Sequence, residues 1–203
     1  MKKILLSVSL TLIAATSFGQ WQWNLDFEDT TYLSRVFIDT TSNPNNIWQV
    51  GTPTKSIFNS AYSPTHVIIT DSLNPYPIND TSSFIIQHIR PGNQGGNESL
   101  LLDFYFKLNT DTLTDYGTIE VSVDNGSTWI NLLTQDTNYG FYWLSQKPIL
   151  SGTTNGWQHF SEELNSLTYT VGYSDILLYK FTFVSDSIQT NKDGWMLDDF
   201  NFH

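Results

Sequence analysis

The stretch Gly117-Thr-Ile-Glu-Val-Ser-Val-Asp124 decides the fold class, because apolar and polar residues alternate along it. The aliphatic side chains at positions 119, 121 and 123 share one face of an extended chain, as in a half-buried strand. Asn125-Gly126 follows, and this pair favours a two-residue hairpin turn. Residues 128–133 are therefore predicted to return as the partner strand.

Short runs of the same kind recur along the chain, and Gly, Asn and Pro separate them. Several runs are apolar on both faces, which is typical of strands in the middle of a sandwich. The one helix candidate after residue 20 is short and lies at 161–167. Many short strands without helical periodicity predict an all-β fold, an antiparallel two-sheet β-sandwich of the jelly-roll type. The other predicted strands lie at 35–39, 47–50, 66–70, 83–89, 99–108, 157–162, 176–185 and 195–202.

The first 19 residues have the layout of a secretory signal peptide. Lys2 and Lys3 precede an apolar run at 4–15, and small residues lead to a predicted cleavage site after Gly19. The run is too short for a spanning helix, which needs about 20 apolar residues. No cysteine follows it, which excludes a lipid anchor. We expect a secreted or cell-surface protein with one domain at 20–203 and no membrane insertion after cleavage.

The charge balance restricts the partners. The predicted mature chain keeps all 20 acidic residues and seven of the nine basic ones, so its formal net charge is −13. Such a surface repels nucleic acid and anionic lipid. The acidic residues are scattered singly, so a solvated acidic surface is the simpler explanation of their number. The chain has no cysteine, and its stability must come from the core or a bound metal.

Four landmarks occur in a recognisable order: Asp26-Phe27-Glu28-Asp29, Ile47-Trp-Gln-Val-Gly51, Val121-Ser-Val-Asp-Asn-Gly-Ser-Thr-Trp129 and Gly194-Trp-Met-Leu-Asp-Asp-Phe200. In this order they resemble the MAM-like jelly-roll domains of secreted bacterial proteins, including those attached to immune-inhibitor-A-type metallopeptidases. The resemblance spans nearly the whole predicted mature chain. It implies a jelly roll whose first and last strands lie side by side.

The resemblance also implies a calcium ion where the two chain ends meet. Ca²⁺ prefers six to eight oxygen ligands, and Glu28, Asp29, Asp198 and Asp199 offer four carboxylates. Neighbouring side chains on an extended strand point to opposite faces, so we expect only one of the two terminal aspartates to face the ion. Asp198 with Glu28 is favoured, with backbone carbonyls completing the shell. The alternative is that all four are solvated residues at strand edges.

Aromatic residues suggest a ligand surface. Tyr139, Tyr142 and Trp143 cluster between Gly140 and Pro148 after a loop-like stretch. Exposed rings of this kind stack against sugars, and protein interfaces enrich the same residues. Packing inside the sandwich is the alternative. By contrast, Trp129 and Trp195 belong to the strand motifs and are expected in the core.

No catalytic pattern stands out. The four histidines form no His-x-x-x-His pair, no Gly-x-Ser-x-Gly elbow is present, and there is no thiol. A site assembled from distant residues stays open at this point. The sequence favours a secreted, non-catalytic binding module for a glycan or protein ligand, stabilised by calcium. The alternatives are a structural or adhesive cell-surface component and an accessory domain of a secreted peptidase or glycoside hydrolase.

Five Asp-Ser/Thr triplets resemble acceptors of bacterial O-glycosylation and are equally typical of Asx turns. They begin at Asp29, Asp39, Asp71, Asp111 and Asp186.

Overall fold

The computed structural model describes residues 23–41, 43–90, 100–135, 149–164, 167, 171–172 and 174–202. Its two helical turns are α1 (Thr30–Leu33) and α2 (Leu132–Gln135). Its strands are β1 (Trp23–Leu25), β2 (Val36–Ile38), β3 (Trp48–Gly51), β4 (Val67–Thr70), β5 (Thr81–Ile89), β6 (Leu101–Asn109), β7 (Tyr116–Ser122), β8 (Ile130–Asn131), β9 (Leu150–Ser151), β10 (Gln158–Glu163), β11 (Ile176–Val184) and β12 (Gly194–Phe202). No helix in these ranges is both long and apolar enough to cross a membrane.

The strands form two six-stranded sheets. Sheet A has the order β10-β6-β12-β4-β3, with β1 also paired to β12. Sheet B has the order β2-β5-β11-β7-β8, with β9 also paired to β7. All pairs are antiparallel, and the four nine-residue strands alternate between the sheets, β5 in B, β6 in A, β11 in B and β12 in A. The predicted antiparallel two-sheet β-sandwich is confirmed.

The core lies between the sheets and is rich in aromatic rings. Alternate residues of the long strands point inward, so burial along β11 switches at every position. Phe84 stacks on Phe181 with centroids 4.8 Å apart, and Phe104 stacks on Phe200 at 4.9 Å. Such pairs each add about 0.5–1.5 kcal/mol beyond the area they bury. Trp195 is fully buried, as predicted.

Two sequence predictions on secondary structure are wrong. Residues 161–163 continue β10, because pairing with β6 and the inward positions of Phe160 and Glu162 favour a strand over a short helix. The return strand after the Asn-Gly turn is only Ile130–Asn131, and the chain then turns into α2.

The hairpin after β7 is held by its own side chains. Asp124 accepts hydrogen bonds from the N–H of Thr128 at 2.8 Å and from its hydroxyl at 2.6 Å. The Ser122 hydroxyl donates to Asp124 and accepts from the N–H of Gly126, both at 2.8 Å. The Ser-x-Asp-x-Gly motif is therefore a turn-building unit. Trp129 at its end is not in the core; it lies partly exposed on the outer face of sheet B, with the Lys180 ammonium 4.1 Å from its ring centroid.

The first and last strands pair, as the resemblance implies. Trp23 is opposite Phe202 and Leu25 is opposite Phe200 in β1 and β12. A bulge interrupts β12 after Asp198, and Asp199 there has a φ of 53°. The acidic pair of the terminal motif therefore lies where β12 changes neighbour from β4 to β1.

Glycines allow two close approaches around Trp195. A Cβ on Gly117 would overlap the Trp195 ring. Gly194 has a φ of +99°, and a Cβ there would overlap the Thr70 hydroxyl. The Gly of the terminal Gly-Trp pair is thus required by backbone conformation and by space.

Candidate binding surface on the outer face of sheet A

A long connection covers part of the outer face of sheet A. We call this connection, residues 52–66 between β3 and β4, the strap. Phe58 of the strap is fully buried against outward-facing side chains of the sheet, Val67, Ile69 and Met196. This second, smaller apolar cluster fixes the strap to the sheet.

Lys55 and Asp193 anchor the first half of the strap. The Lys55 ammonium is buried and donates to the carbonyl oxygen of Thr70 at 2.8 Å and to that of Asp193. The Asp193 carboxylate in turn accepts from the N–H groups of Ile57 and Phe58, both at 2.9 Å. Burial lowers the pKa of Lys55 to about 8. The arrangement satisfies backbone groups that the strap would otherwise leave without partners.

Asp198 anchors the second half. It is fully buried, and one carboxylate oxygen accepts from the N–H groups of Tyr62 and Ser63, both at 2.9 Å. The other oxygen accepts from the Ser63 hydroxyl at 3.0 Å and the Asp199 N–H at 2.8 Å. Burial raises the pKa of Asp198 to about 6, although these hydrogen bonds oppose the rise. Within the described ranges no Lys, Arg or His forms an ion pair with this carboxylate.

Glu28 holds the end of the strap. Its carboxylate accepts from the His66 N–H at 2.5 Å, from the Thr65 hydroxyl at 2.9 Å and contacts His66 Nδ1 at 2.9 Å. Desolvation acts to raise the pKa of Glu28, but these hydrogen bonds outweigh it and hold the pKa below its usual value. Glu28 and Asp198 thus bind neighbouring residues of the strap, and both connect the chain ends to it.

The other two predicted calcium ligands have different positions. Asp29 caps α1 and accepts from the Thr31 N–H at 2.8 Å. Burial raises the pKa of Asp199, and the nearby carboxylates of Asp26 and Asp103 raise it further. Asp103 lies on the outer face of sheet A, so Asp199 lies near that face too. The bulge interrupts the strand alternation on which the expected divergence of Asp198 and Asp199 depends.

The oxygen atoms around Glu28 and Asp198 are of the kind that Ca²⁺ binds, but they already form hydrogen bonds. The Ser63 hydroxyl lies 3.0 Å from Asp198 Oδ1 and 3.4 Å from the Asp26 carbonyl oxygen, and such oxygens are possible calcium ligands. No three His, Asp or Glu side chains of the described residues form a metal-binding group. Carbonyl and hydroxyl oxygens would have to supply most of the shell around Glu28 and Asp198. The calcium site stays a prediction.

Beside the strap lies a row of aromatic rings. We call Tyr62, Tyr105, Trp157 and His159 the ledge. Tyr62 stacks on Tyr105 with centroids 3.6 Å apart and planes at 12°. Trp157 meets Tyr62 edge-on at 5.8 Å, and His159 lies 4.8 Å from Tyr105. Tyr62 is 45% exposed and the His159 side chain is 47% exposed. The ledge joins strap, β6 and the start of β10 into one solvent-facing aromatic surface.

Charged and polar groups border the ledge. The Lys107 ammonium lies 5.0 Å from the Trp157 ring centroid, within cation–π range. Asp103 is 3.5 Å from His159 Nε2 and accepts from the Asn201 side-chain amide at 3.0 Å. Hydrogen-bonding groups therefore flank flat apolar rings, the combination found in small-molecule sites.

The sequence predicts a different aromatic surface. Tyr139, Tyr142 and Trp143 lie outside the described residues. The ledge was missed because its members are up to 97 positions apart in the sequence. One available signal was Tyr105, an aromatic residue at an outward position of a strand whose neighbours Phe104 and Phe106 are buried.

The Asp-Ser/Thr triplets form turns. In four of the five, the aspartate carboxylate accepts from the N–H two residues later, at 2.7 to 3.0 Å. The exception is the triplet of Asp111, where the Leu113 N–H donates to the Ser151 hydroxyl. The Asx-turn interpretation is confirmed for the four triplets at Asp29, Asp39, Asp71 and Asp186.

Comparison with known proteins supports the fold class. The K2 cleaved adhesin domain of Lys-gingipain is similar with a TM-score of 0.53 and 13% identity, over 90% of this chain and 99% of that one. The K3 cleaved adhesin domain of Lys-gingipain from Porphyromonas gingivalis W83 gives 0.51 and 14%, over 89% and 97%. A mannan-recognising carbohydrate-binding module gives 0.40 and 9%, over 89% and 94%. The fold likeness rests on the two adhesin domains.

Comparisons of sequence give no family. No family model matches the chain, and no curated protein matches it. The resemblance to MAM-like domains therefore stays a prediction.

Proposed function

We propose that this protein is an extracellular, non-catalytic binding module and that the ledge contacts its ligand. The observation that carries the proposal is the row of rings beside the strap, with Tyr62 and His159 each nearly half exposed. Most exposed large apolar side chains elsewhere in the described ranges lie singly, and Ile89 and Ile176 form one cross-strand pair on sheet B. A contiguous aromatic row with polar borders is a binding feature.

The contacts that hold Tyr62 in place favour a role of the ledge in ligand recognition over incidental packing. Tyr62 is fixed through its backbone N–H by the buried Asp198 carboxylate, and its ring is fixed by stacking on Tyr105. A ring already held in one position loses little conformational entropy when a ligand binds. The structure around Tyr62 therefore supports a surface prepared for contact.

Binding alone accounts for these features, since stacking and hydrogen bonding at the ledge break no bond. The predicted signal peptide accords with an extracellular location, and the similar structures include adhesin domains. A calcium ion held by Glu28 and Asp198 would neutralise the negative charges of these two carboxylates and tie the strap to both chain ends. Membership of the MAM-like group belongs to the same proposal.

The test is binding by single-residue variants to an array of immobilised neutral glycans, acidic glycans and extracellular-matrix proteins. Trp157→Ala and His159→Ala should each weaken binding to whichever probe the unaltered protein retains. Phe37→Ala is the matched control, because Phe37 is a 48% exposed ring on β2 of the other sheet. Binding that is equally weakened by Phe37→Ala, or unaffected by both ledge variants, would contradict the proposal.

A further inference from the structure

We infer that the ledge recognises a pyranose chain without negative charge, a neutral hexose or amino-sugar glycan. This inference rests on the proposed function, because it names the ligand class of the same surface. Three features of the described residues carry it: the ring row, the hydrogen-bonding side chains at its border, and the carboxylates beside it.

The ring row suits a ligand with flat apolar faces. A pyranose presents C–H groups on its faces and hydroxyl groups around its edge, so it can pack on an aromatic side chain while its rim stays polar. The ledge offers successive rings, with centroid separations of 5.8, 3.6 and 4.8 Å from Trp157 through Tyr62 and Tyr105 to His159. Tyr62 and Tyr105 cover each other's facing surfaces, so a sugar unit packs on the ring faces that this stack leaves uncovered or on Trp157 and His159.

The border of the row suits hydroxyl groups. His159 and Asp103 lie 3.5 Å apart, and the Asn201 amide orients the Asp103 carboxylate. A carboxylate accepts hydrogen bonds and an imidazole can donate or accept, so adjacent sugar hydroxyls would find both kinds of partner. These side chains start from β6, β10 and β12, and sites on strands hold their geometry better than sites on loops.

The charge beside the row disfavours acidic sugars. The Asp103 carboxylate lies at the border of the row, 3.5 Å from His159 Nε2. A uronate or sulfate group beside the rings would be repelled by this carboxylate. The Lys107 ammonium lies at the other end of the row, 5.0 Å from the Trp157 ring centroid. The net charge of the chain adds to the repulsion at long range.

A protein partner fits this surface less well. A stable protein interface buries about 800 Å² on each side around a desolvated apolar centre. The strongly exposed apolar residues of the strap are Ile57 and Tyr62, whereas Phe37, Ile89 and Ile176 lie on sheet B. The carboxylates bordering the rings would also be costly to bury at the centre of an interface.

The test measures calorimetric binding of cellohexaose, mannohexaose and hexa-N-acetylchitohexaose, with hexagalacturonate as the acidic counterpart. We expect at least one of the three uncharged hexasaccharides to bind more tightly than hexagalacturonate. Trp157→Ala, Tyr62→Ala and His159→Ala should each weaken that binding about five- to tenfold, the loss of one stacking contact. Phe37→Ala should leave it unchanged.

The outcomes separate the inference from the proposed function. Binding of hexagalacturonate alone, lost in the ledge variants, overturns the inference and leaves the ledge as the binding surface. Binding of an uncharged hexasaccharide that all three ledge variants retain overturns both. No binding of any hexasaccharide overturns the inference. His159→Ala keeps the test valid if the other two variants fail to fold, because the His159 side chain is 47% exposed at the surface of β10.

Discussion

The most quantitative prediction concerns two buried groups whose titrations oppose each other. His88 is buried between Trp23 and Phe202, with ring centroids 5.8 and 5.1 Å away, and among the described residues neither ring nitrogen has a hydrogen-bond partner. Burial lowers the pKa of His88 from 6.5 to about 4, and Arg35 lowers it further. Burial raises the pKa of Asp198 from 3.8 to about 6.

The signs follow from which state binds the proton more tightly. Between pH 6.5 and 4 the unfolded chain protonates His88 and the folded chain does not, so the folded state loses stability as pH falls. Between pH 6 and 3.8 the folded chain protonates Asp198 first, so the folded state gains stability as pH falls. From pH 7 to pH 5 these pKa values give a loss of about 2 kcal/mol from His88 and a gain of about 1 kcal/mol from Asp198.

Variants should separate the two contributions. His88→Phe keeps a ring in the stack and should make the free energy of unfolding rise by about 1 kcal/mol from pH 7 to pH 5. Asp198→Asn should make it fall by about 2 kcal/mol over the same interval. The pKa values of Asp80 and Asp199 are also raised, so these residues, like Asp198, stabilise the folded state as pH falls. They do so equally in both variants. The pH-dependent changes in the free energy of unfolding should therefore still differ by about 3 kcal/mol between His88→Phe and Asp198→Asn.

The assay is urea unfolding followed by tryptophan fluorescence at pH 7 and pH 5, with excess chelator in every sample. Chelator removes any calcium contribution that Asp198→Asn would also change. Unfolding free energies that respond to pH identically in the two variants would refute the reasoning on burial. A change of the denaturant slope with pH would instead show that the folded or unfolded state itself differs between pH 7 and pH 5.

Two further predictions concern metal and packing. If Glu28 and Asp198 hold calcium, millimolar Ca²⁺ should raise the melting temperature relative to excess chelator. Glu28→Gln or Asp198→Asn should abolish most of that rise. Identical melting curves with Ca²⁺ and with chelator would count against the site. Gly117→Ala should destabilise the fold by about 3 kcal/mol, because its methyl group would overlap the Trp195 ring. Gly51→Ala is the control, since nothing lies within 4 Å of its added Cβ, and an equal loss in both would show that strand propensity and not the clash is responsible.

The fold class was predictable from the sequence because it depends on local patterns. Alternation at 119–123 predicts β7, and the Asn-Gly pair predicts the turn that Ser122 and Asp124 build. The ends of elements were less predictable. The position of β10 over 161–163 depends on pairing with β6, a contact between residues about 60 positions apart.

The site was only partly predictable. The sequence predicts Asp198 and Glu28 as calcium ligands, whereas their hydrogen bonds to the strap depend on how residues 62–66 cross the sheet. The positive φ of Asp199 has no sequence signal comparable to the Asn-Gly pair of the hairpin, because it belongs to a bulge inside a paired strand. The ledge could not be predicted, since stacking of Tyr62 on Tyr105 exists only once the strap is folded onto β6.

The most direct test of the ledge as binding surface is a backbone amide chemical-shift titration of the isotope-labelled protein with the tightest-binding hexasaccharide. The largest chemical-shift changes should fall on Tyr62, Ser63, Tyr105 and residues 157–159. Phe37 and the hairpin at 124–128 should stay unchanged. Largest shifts at 139–143, the aromatic cluster suggested by the sequence, with none at Tyr62 or Tyr105, would contradict this prediction.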